Sequence, residues 1–213
     1  MRVLCYHFLQ RISDCQKCAG GVTVRILMLG NSFTYYHDMP DMLAAMLGAE
    51  VAAHTRGGAM LAEQLNPETE MGARTLKALN EEKWDYVVLQ EQSNAPITKK
   101  KGFLKSAQEL CTLIKERGAK PLFYSTWAYK DGTDKLATMK MTYEEMDRGL
   151  FESYSQAAKD NGALIANVGG AFTAMRSLAG LYEDDDYHPS TAGSLLAAAT
   201  IARVIETDRL ISP

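Results

Sequence analysis

A serine directly follows a short apolar segment near the start of the chain. Residues 24–29 are apolar enough for a parallel strand that is covered on both faces, and Gly30 permits a tight turn after it. Ser32 therefore lies at the carboxyl end of a predicted strand, where open α/β sheets bind their ligands. The alternative is that this serine only caps a helix, which is a common use of serine after a strand.

An acid and a histidine lie close together near the other end of the chain. Asp185 precedes His188 by three residues, and an alanine-rich helix is predicted to begin just after them. Histidine has an unperturbed pKa of about 6.5, so it can take a proton from a serine hydroxyl and return it to a leaving alcohol. A carboxylate can hold the other ring nitrogen. These residue types are those of a serine hydrolase that forms an acyl-enzyme.

The two segments together resemble the SGNH (GDSL-like) hydrolases. In that family a Gly-Asp-Ser block follows the first strand, and an Asp-x-x-His-Pro block lies near the C-terminus. The first block here reads Gly30-Asn31-Ser32, with asparagine in place of the family's aspartate. Gly-x-Ser alone is a weak signal, but the two blocks in this order are much more specific. The resemblance covers residues 23–207 and implies a triad of Ser32, His188 and Asp185.

The resemblance also implies hydrogen-bond donors for the oxyanion of the reaction. The family's second block supplies a glycine, and Gly58 fits it, although a plain strand-to-helix turn is the alternative. The third block, Gly-x-Asn-Asp in the family, is altered here to Leu-Gln-Glu-Gln-Ser, which is typical of a divergent branch. Position relative to the strand favours Gln92, whereas residue type favours Asn94. Both stay candidates, and Asn94 is also a good cap for the loop before Pro96.

Strand and helix patterns alternate along the chain. This alternation predicts an α/β fold: a single three-layer α/β/α domain with a five-stranded, parallel, flavodoxin-like sheet. Residues 1–21 are expected to be an N-terminal extension, and residues 22–213 the hydrolase-like domain. The predicted strands cover residues 24–29, 50–55, 84–90, 121–125 and 163–168.

Composition restricts the expected partners and cofactors. The 213 residues carry a formal net charge of −3, which argues against a nucleic-acid partner. Cys15 and Cys18 form a C-x-x-C pair, but no second C-x-x-C or C-x-x-H follows, so neither a metal nor an organic cofactor is expected. No segment reads as a signal peptide or a membrane span. A cytoplasmic protein without a membrane partner is therefore expected.

These observations predict a serine esterase that acts on small acyl esters, with O-acetyl groups on carbohydrates as the favoured substrates. One alternative is a lysophospholipase or thioesterase, which would use the same catalytic residues on longer acyl chains. Another is a non-catalytic flavodoxin-like binding module. Two aromatic residues after the fourth predicted strand, Trp127 and Tyr129, either wall the substrate pocket or pack in the core.

Overall fold

Five parallel strands form the centre of the fold. The computed structural model describes residues 23–177 and 180–211, so the expected extension and its C-x-x-C pair lie outside the described residues. The strand order is β2-β1-β3-β4-β5, the flavodoxin-like order, and the expected parallel sheet is confirmed. The strands are β1 (Arg25–Gly30), β2 (Glu50–Thr55), β3 (Tyr86–Leu89), β4 (Lys120–Ser125) and β5 (Leu164–Asn167).

Helices connect the strands and cover both faces of the sheet. They are α1 (Ser32–Tyr35), α2 (Met39–Leu47), α3 (Leu61–Gln64), α4 (Glu70–Glu81), α5 (Ala95–Thr98), α6 (Lys100–Glu116), α7 (Asp134–Met139), α8 (Tyr143–Asp160), α9 (Val168–Met175) and α10 (Thr191–Ile211). A 3₁₀ turn, Tyr36–Asp38, joins α1 to α2. Of the helices in the described part of the chain, none is long and apolar enough to cross a membrane.

The core consists of two apolar layers, one on each face of the sheet. Side chains of a strand point alternately to opposite faces. In β1, Ile26 and Met28 therefore pack into the layer that includes α2 and α10, while Leu27 and Leu29 pack into the layer that includes α4 and α6. A strand buried on both faces reads as a continuous apolar run, which is why β1 was recognisable in the sequence.

Trp127 lies in the core rather than in the wall of a pocket. Its ring is fully buried and stacks between Phe33, at a centroid distance of 4.6 Å, and Phe172, at 4.0 Å. The indole N–H donates a hydrogen bond of 3.0 Å to the carbonyl of Tyr187. Tyr129 is buried as well. Trp127 therefore joins the helix that begins at Ser32 to the loop that carries His188.

Helix α10 begins in close contact with the loop before it. A Cβ atom on Gly193 would lie 2.3 Å from the carbonyl oxygen of Leu181 and 3.0 Å from the ring of Phe172. The same loop is held by Ser190, whose N–H donates to the Leu181 carbonyl at 2.9 Å. Only glycine lets the helix approach this closely, so the start of α10 fixes the loop that contains Asp185 and His188.

This close approach predicts that Gly193→Ala lowers the free energy of unfolding by about 1–3 kcal/mol, the usual range for overpacking. Gly102→Ala is the matched control, because a Cβ atom there meets no atom within 4 Å inside helix α6. It should raise stability by about 0.5–1 kcal/mol through helix propensity. Urea denaturation measures both values, and equal stability of the two variants would contradict the packing argument.

Candidate active site

Two short hydrogen bonds join the side chains of Ser32, His188 and Asp185. The Nε2 atom of His188 lies 2.8 Å from the Oγ atom of Ser32, and its Nδ1 atom lies 2.6 Å from Oδ2 of Asp185. A carboxylate accepts but does not donate, so Nδ1 carries the proton in the neutral ring. Nε2 is then free to accept the proton of the serine hydroxyl, as the base of a catalytic triad must.

The carboxyl group of Asp185 is held by three hydrogen bonds. Besides the ring of His188, its Oδ1 atom accepts the backbone N–H groups of His188 at 2.9 Å and of Tyr187 at 3.2 Å. Partial burial raises the pKa of Asp185, but the hydrogen bonds from His188 and Tyr187 outweigh it and hold this pKa below its ordinary value. The carboxylate is therefore ionised at neutral pH and can hold the Nδ1–H group of His188.

Ser32 is the first residue of α1 but does not cap it. The cap is Asn31, whose side-chain oxygen accepts the N–H of Phe33 at 3.1 Å. The hydroxyl of Ser32 is therefore not used in capping, and the alternative of a simple helix cap is wrong for this serine. Both Ser32 and His188 are 9% exposed, so they sit at the bottom of an opening rather than on the surface.

Aromatic rings surround the imidazole of His188. The ring of Tyr36 stacks on it at a centroid distance of 4.2 Å, and the ring of Tyr187 contacts it at 4.1 Å. Phe33 adds an edge contact at 5.8 Å. Such contacts restrict rotation of the imidazole. The sequence places Tyr187 beside His188, but nothing in the sequence alone singles out Tyr36, which reaches the ring only through the fold.

An open cavity of about 340 Å³ lies in front of Ser32 and His188. Gly58 and Gln92 line it, and Asn94 does not. Gly58 has a φ of +69°, which favours glycine, and a Cβ atom there would meet nothing within 4 Å. The cavity is lined by Asn31, Ser32, Phe33, Tyr35, Tyr36, Gly57, Gly58, Gln92, Ser93, Tyr187 and His188.

Asn94 begins the short helix α5 instead. Its backbone carbonyl accepts the N–H groups of Ile97 at 3.0 Å and Thr98 at 2.9 Å. Its side-chain oxygen accepts the hydroxyl of Thr98 at 3.3 Å and makes no capping hydrogen bond to a backbone N–H. Of the two candidate amides after β3, only that of Gln92 borders the cavity with Ser32.

The other histidines have different surroundings. His37 lies 2.6 Å from a carboxylate oxygen of Glu183, and His54 is buried in β2 with its Nδ1 atom 2.9 Å from the hydroxyl of Thr75. Burial lowers the pKa of His54 to about 4. His7 lies outside the described residues. Within residues 23–177 and 180–211, no three histidine, cysteine, aspartate or glutamate side chains are grouped as metal ligands would be.

Asn31 connects the loops that follow the first three strands. Its backbone N–H donates to the side-chain oxygen of Gln90 at 2.9 Å, and its side-chain amide donates to the carbonyl of Ala59 at 3.1 Å. The same Gln90 oxygen accepts the hydroxyl of Thr34 at 2.9 Å. An aspartate could not donate to Ala59. The asparagine of the Gly-Asn-Ser block thus has a hydrogen-bonding use of its own.

Glu91 is a buried carboxyl group in the loop after β3. Its side chain accepts the backbone N–H of Gln92 at 2.7 Å and that of Leu61 at 3.3 Å, and the residue is 1% exposed. Burial raises the pKa of Glu91 to about 7, against the lowering effect of those two N–H groups. A glutamate between two glutamines at the end of an apolar strand was the only sign of this group in the sequence.

The contact between Asn31 and Ala59 predicts that Asn31→Asp lowers the free energy of unfolding by about 1–3 kcal/mol at pH 8, because a carboxylate oxygen would then face the Ala59 carbonyl. Asn66→Asp is the control, since Asn66 is exposed and its side-chain oxygen accepts the N–H of Glu68. Urea denaturation compares them. Equal stability of the two variants would show that the Asn31 amide is dispensable.

No family model and no curated protein sequence matches the chain. Solved structures do match it. A protein from Slackia heliotrinireducens, described as a candidate SGNH hydrolase, is 46% identical, with a TM-score of 0.82. The match covers 86% of this chain and 100% of that one.

More distant structures share the fold. A DUF4886 family protein from Bacteroides uniformis is 21% identical, with a TM-score of 0.64, over 90% of this chain and 86% of that one. Axe2, an acetylxylan esterase from Geobacillus stearothermophilus, is 18% identical, with a TM-score of 0.63, over 87% of this chain and 95% of that one. At these identities the likeness concerns the fold alone.

The likeness to the Slackia protein covers the whole of that chain at nearly half identity. It agrees with the flavodoxin-like sheet and with the two motif blocks at its strand ends. The resemblance to the SGNH (GDSL-like) hydrolases is confirmed, and the chain belongs to this family.

Proposed function

We propose that the protein is a serine esterase in which Ser32 is the nucleophile, His188 the general base and acid, and Asp185 the residue that orients the histidine. The observation that carries this proposal is the continuous chain of hydrogen bonds through the imidazole, 2.8 Å on the serine side and 2.6 Å on the aspartate side. A serine hydroxyl needs such a base because it is a poor nucleophile at neutral pH.

The reaction proceeds in two halves. Ser32 Oγ attacks the acyl carbonyl while its proton moves to Nε2 of His188, and the resulting tetrahedral intermediate expels the alcohol, which takes the proton back from His188. The acyl group is now bound to Ser32 as an ester. A water molecule that gives a proton to His188 then attacks this ester. The second tetrahedral intermediate expels Ser32 Oγ, which takes the proton back from His188, and the carboxylic acid leaves.

Three N–H groups around the cavity are candidates for stabilising the oxyanion. The N–H of Ser32 lies at the start of α1, where the helix provides no acceptor for it. Gly58 contributes its backbone N–H from the loop after β2. Gln92 contributes its side-chain amide, which donates to the hydroxyl of Ser93 at 3.0 Å and retains a second N–H. Donors at such positions act where negative charge develops.

The shape and lining of the cavity favour small acyl groups on a carbohydrate or similar alcohol. A volume of about 340 Å³ in an open cleft suits a short acyl chain. Tyr35, Tyr36 and Tyr187 lie along this cleft, and aromatic rings with a polar tip suit a sugar, which presents both C–H and O–H groups. An acetylxylan esterase has the same fold, so this fold can carry a site for acetylated carbohydrates.

The proposal predicts that p-nitrophenyl acetate is hydrolysed with a kcat/KM at least tenfold above that of p-nitrophenyl decanoate. Ser32→Ala and His188→Ala should lower kcat by several orders of magnitude, because they remove groups that act as one unit. Asp185→Asn should lower it less than His188→Ala, since Asp185 orients and does not react.

Circular dichroism and urea denaturation of the variants provide the control for folding. Turnover by a folded Ser32→Ala variant at the wild-type rate would end the proposal. A preference for the decanoate would support a lysophospholipase or thioesterase instead. A folded wild-type protein without turnover on any ester of the series would support a non-catalytic binding module.

The positions of Gln92 and Asn94 in the loop after β3 predict different effects when each is replaced by alanine. Gln92→Ala should lower kcat by roughly a hundredfold with little change in KM, the scale of a lost oxyanion donor. Asn94→Ala should mainly lower the melting temperature, because Asn94 contacts Thr98 at the start of α5. Steady-state kinetics and thermal unfolding of both variants test this. A loss of turnover confined to Asn94→Ala would assign the third donor to Asn94.

A further inference from the structure

The carboxyl group of Glu91 connects two loops that line the cavity. One of its oxygens lies 2.7 Å from the N–H of Gln92, in the loop after β3. The same oxygen lies 3.3 Å from the N–H of Leu61, at the start of α3, three residues after Gly58. Its other oxygen lies 3.4 Å from that second N–H. One buried group therefore contacts the segments that carry two of the candidate oxyanion donors.

We propose that Glu91 is a positioning residue for the oxyanion hole: its ionised carboxylate holds the Gly58 and Gln92 loops in register, so turnover requires that Glu91 be deprotonated. This inference rests on the proposed esterase function. Glu91 does not contact the substrate in this role. It acts through the backbone N–H groups that it fixes.

Neighbouring hydrogen bonds hold the backbone on both sides of the contact between Glu91 and Leu61. The backbone N–H of Glu91 donates to the hydroxyl of Tyr154 at 3.0 Å. The side-chain amide of Asn31 donates to Ala59, between Gly58 and Leu61. Asn31 thus joins the loop after β1 to the loop after β2, and Glu91 joins the loop after β3 to that same loop. A shift of the carboxyl group would move the segments next to both Gly58 and Gln92.

The two protonation states of Glu91 differ in what they can do at this position. The carboxylate accepts hydrogen bonds at both oxygens, whereas the acid places a proton on one of them. Both protein groups that face the oxygens, the N–H groups of Gln92 and Leu61, are donors. Protonation also removes the negative charge that both N–H groups face, so a protonated Glu91 would be a weaker acceptor for each of them.

The charged groups around Glu91 are few and act in opposite directions. Lys99, between α5 and α6, lowers its pKa, and Glu63, on α3, raises it. Lys105 and Glu109, both on α6, line a cavity of about 420 Å³ that also borders Glu91. Burial is the largest influence and raises the pKa to about 7. Glu91 accordingly changes its charge within the pH range in which a histidine base also titrates.

The raised pKa has a defined consequence for stability. The native state keeps the Glu91 proton to higher pH than the unfolded chain does. The stability that this group contributes is therefore present at low pH and is lost as pH rises from about 4.5 to about 7. An ionised glutamate at this position opposes folding under the conditions in which the enzyme would work. A purely structural role is better served by an uncharged residue of the same shape.

The experiment compares the acidic limb of the pH profile in three proteins. In the wild type, log(kcat/KM) should rise with a slope of about two below pH 6, because both His188 and Glu91 must lose a proton. Glu91→Gln has an uncharged side chain of the same shape, like protonated Glu91, and cannot titrate, so its slope should be about one and its kcat at pH 8 should fall about tenfold with little change in KM. Glu91→Ala should lose about 10- to 100-fold in kcat with little change in KM.

Asp208→Asn is the matched control, because Asp208 is also a buried carboxyl group but lies at the opposite end of the sheet, where it accepts from Tyr86 and Lys120. It should lower the melting temperature without changing kcat or the slope. The melting temperature of Glu91→Gln, relative to that of the wild type, should rise between pH 5 and pH 8.

The outcomes separate this inference from the proposed function. A slope of one in both the wild type and Glu91→Gln would overturn the inference. So would a wild-type kcat at pH 8 in Glu91→Gln or in Glu91→Ala. Either result, in a wild type whose turnover depends on Ser32, leaves the esterase proposal intact. A folded wild type without any Ser32-dependent turnover would overturn both.

Discussion

The hydrogen bonding of the buried polar groups at three strand ends is the constraint on which the site depends. Asn31, Gln90 and Glu91 are each 2% exposed or less, and polar groups at such depth are costly unless they are paired. Each of them has at least one partner on a neighbouring loop. The loops after β1, β2 and β3 therefore cannot move independently without leaving a buried donor or acceptor unsatisfied.

The order of the strands makes this arrangement possible. Because β1 lies between β2 and β3, the three loops leave the sheet side by side at its carboxyl edge. The histidine loop arrives from the far end of the chain and is held by different contacts. Trp127 stacks on Phe33 and donates to the Tyr187 carbonyl, while Gly193 lets α10 approach the Leu181 carbonyl. Ser32 and His188 thus meet because two separate sets of contacts place their loops.

Much of the fold could be predicted from the sequence. The strands are short apolar runs separated by helical patterns, and this alternation is a local property of the chain. Local patterns are less informative about helix ends: helix α4 begins at Glu70, after Thr69, whose side chain accepts the N–H of Gly72, although Pro67 is also of a type that commonly starts a helix. Glycines at turns were recognisable because a positive φ, as at Gly58, restricts the residue type.

Parts of the site could not be predicted for a physical reason. Ser32, His188 and Asp185 were candidates because their types and spacing are informative, and the structure brings them within hydrogen-bonding distance. Their catalytic roles remain proposals. Gln90, Glu91 and Tyr36 act through neighbours that are distant in sequence, so their positions depend on strand order and burial. Which of Gln92 and Asn94 borders the cavity likewise depends on the path of the loop after β3.

The most direct measurement of the central claim is labelling with a fluorophosphonate, followed by peptide mass spectrometry to locate the modified residue. The probe reacts with a serine that a neighbouring base activates. The account predicts one phosphonyl group, on the peptide that contains Ser32, and no labelling of the folded His188→Ala variant. Absence of labelling in the wild type, or a label on any other residue, would contradict it.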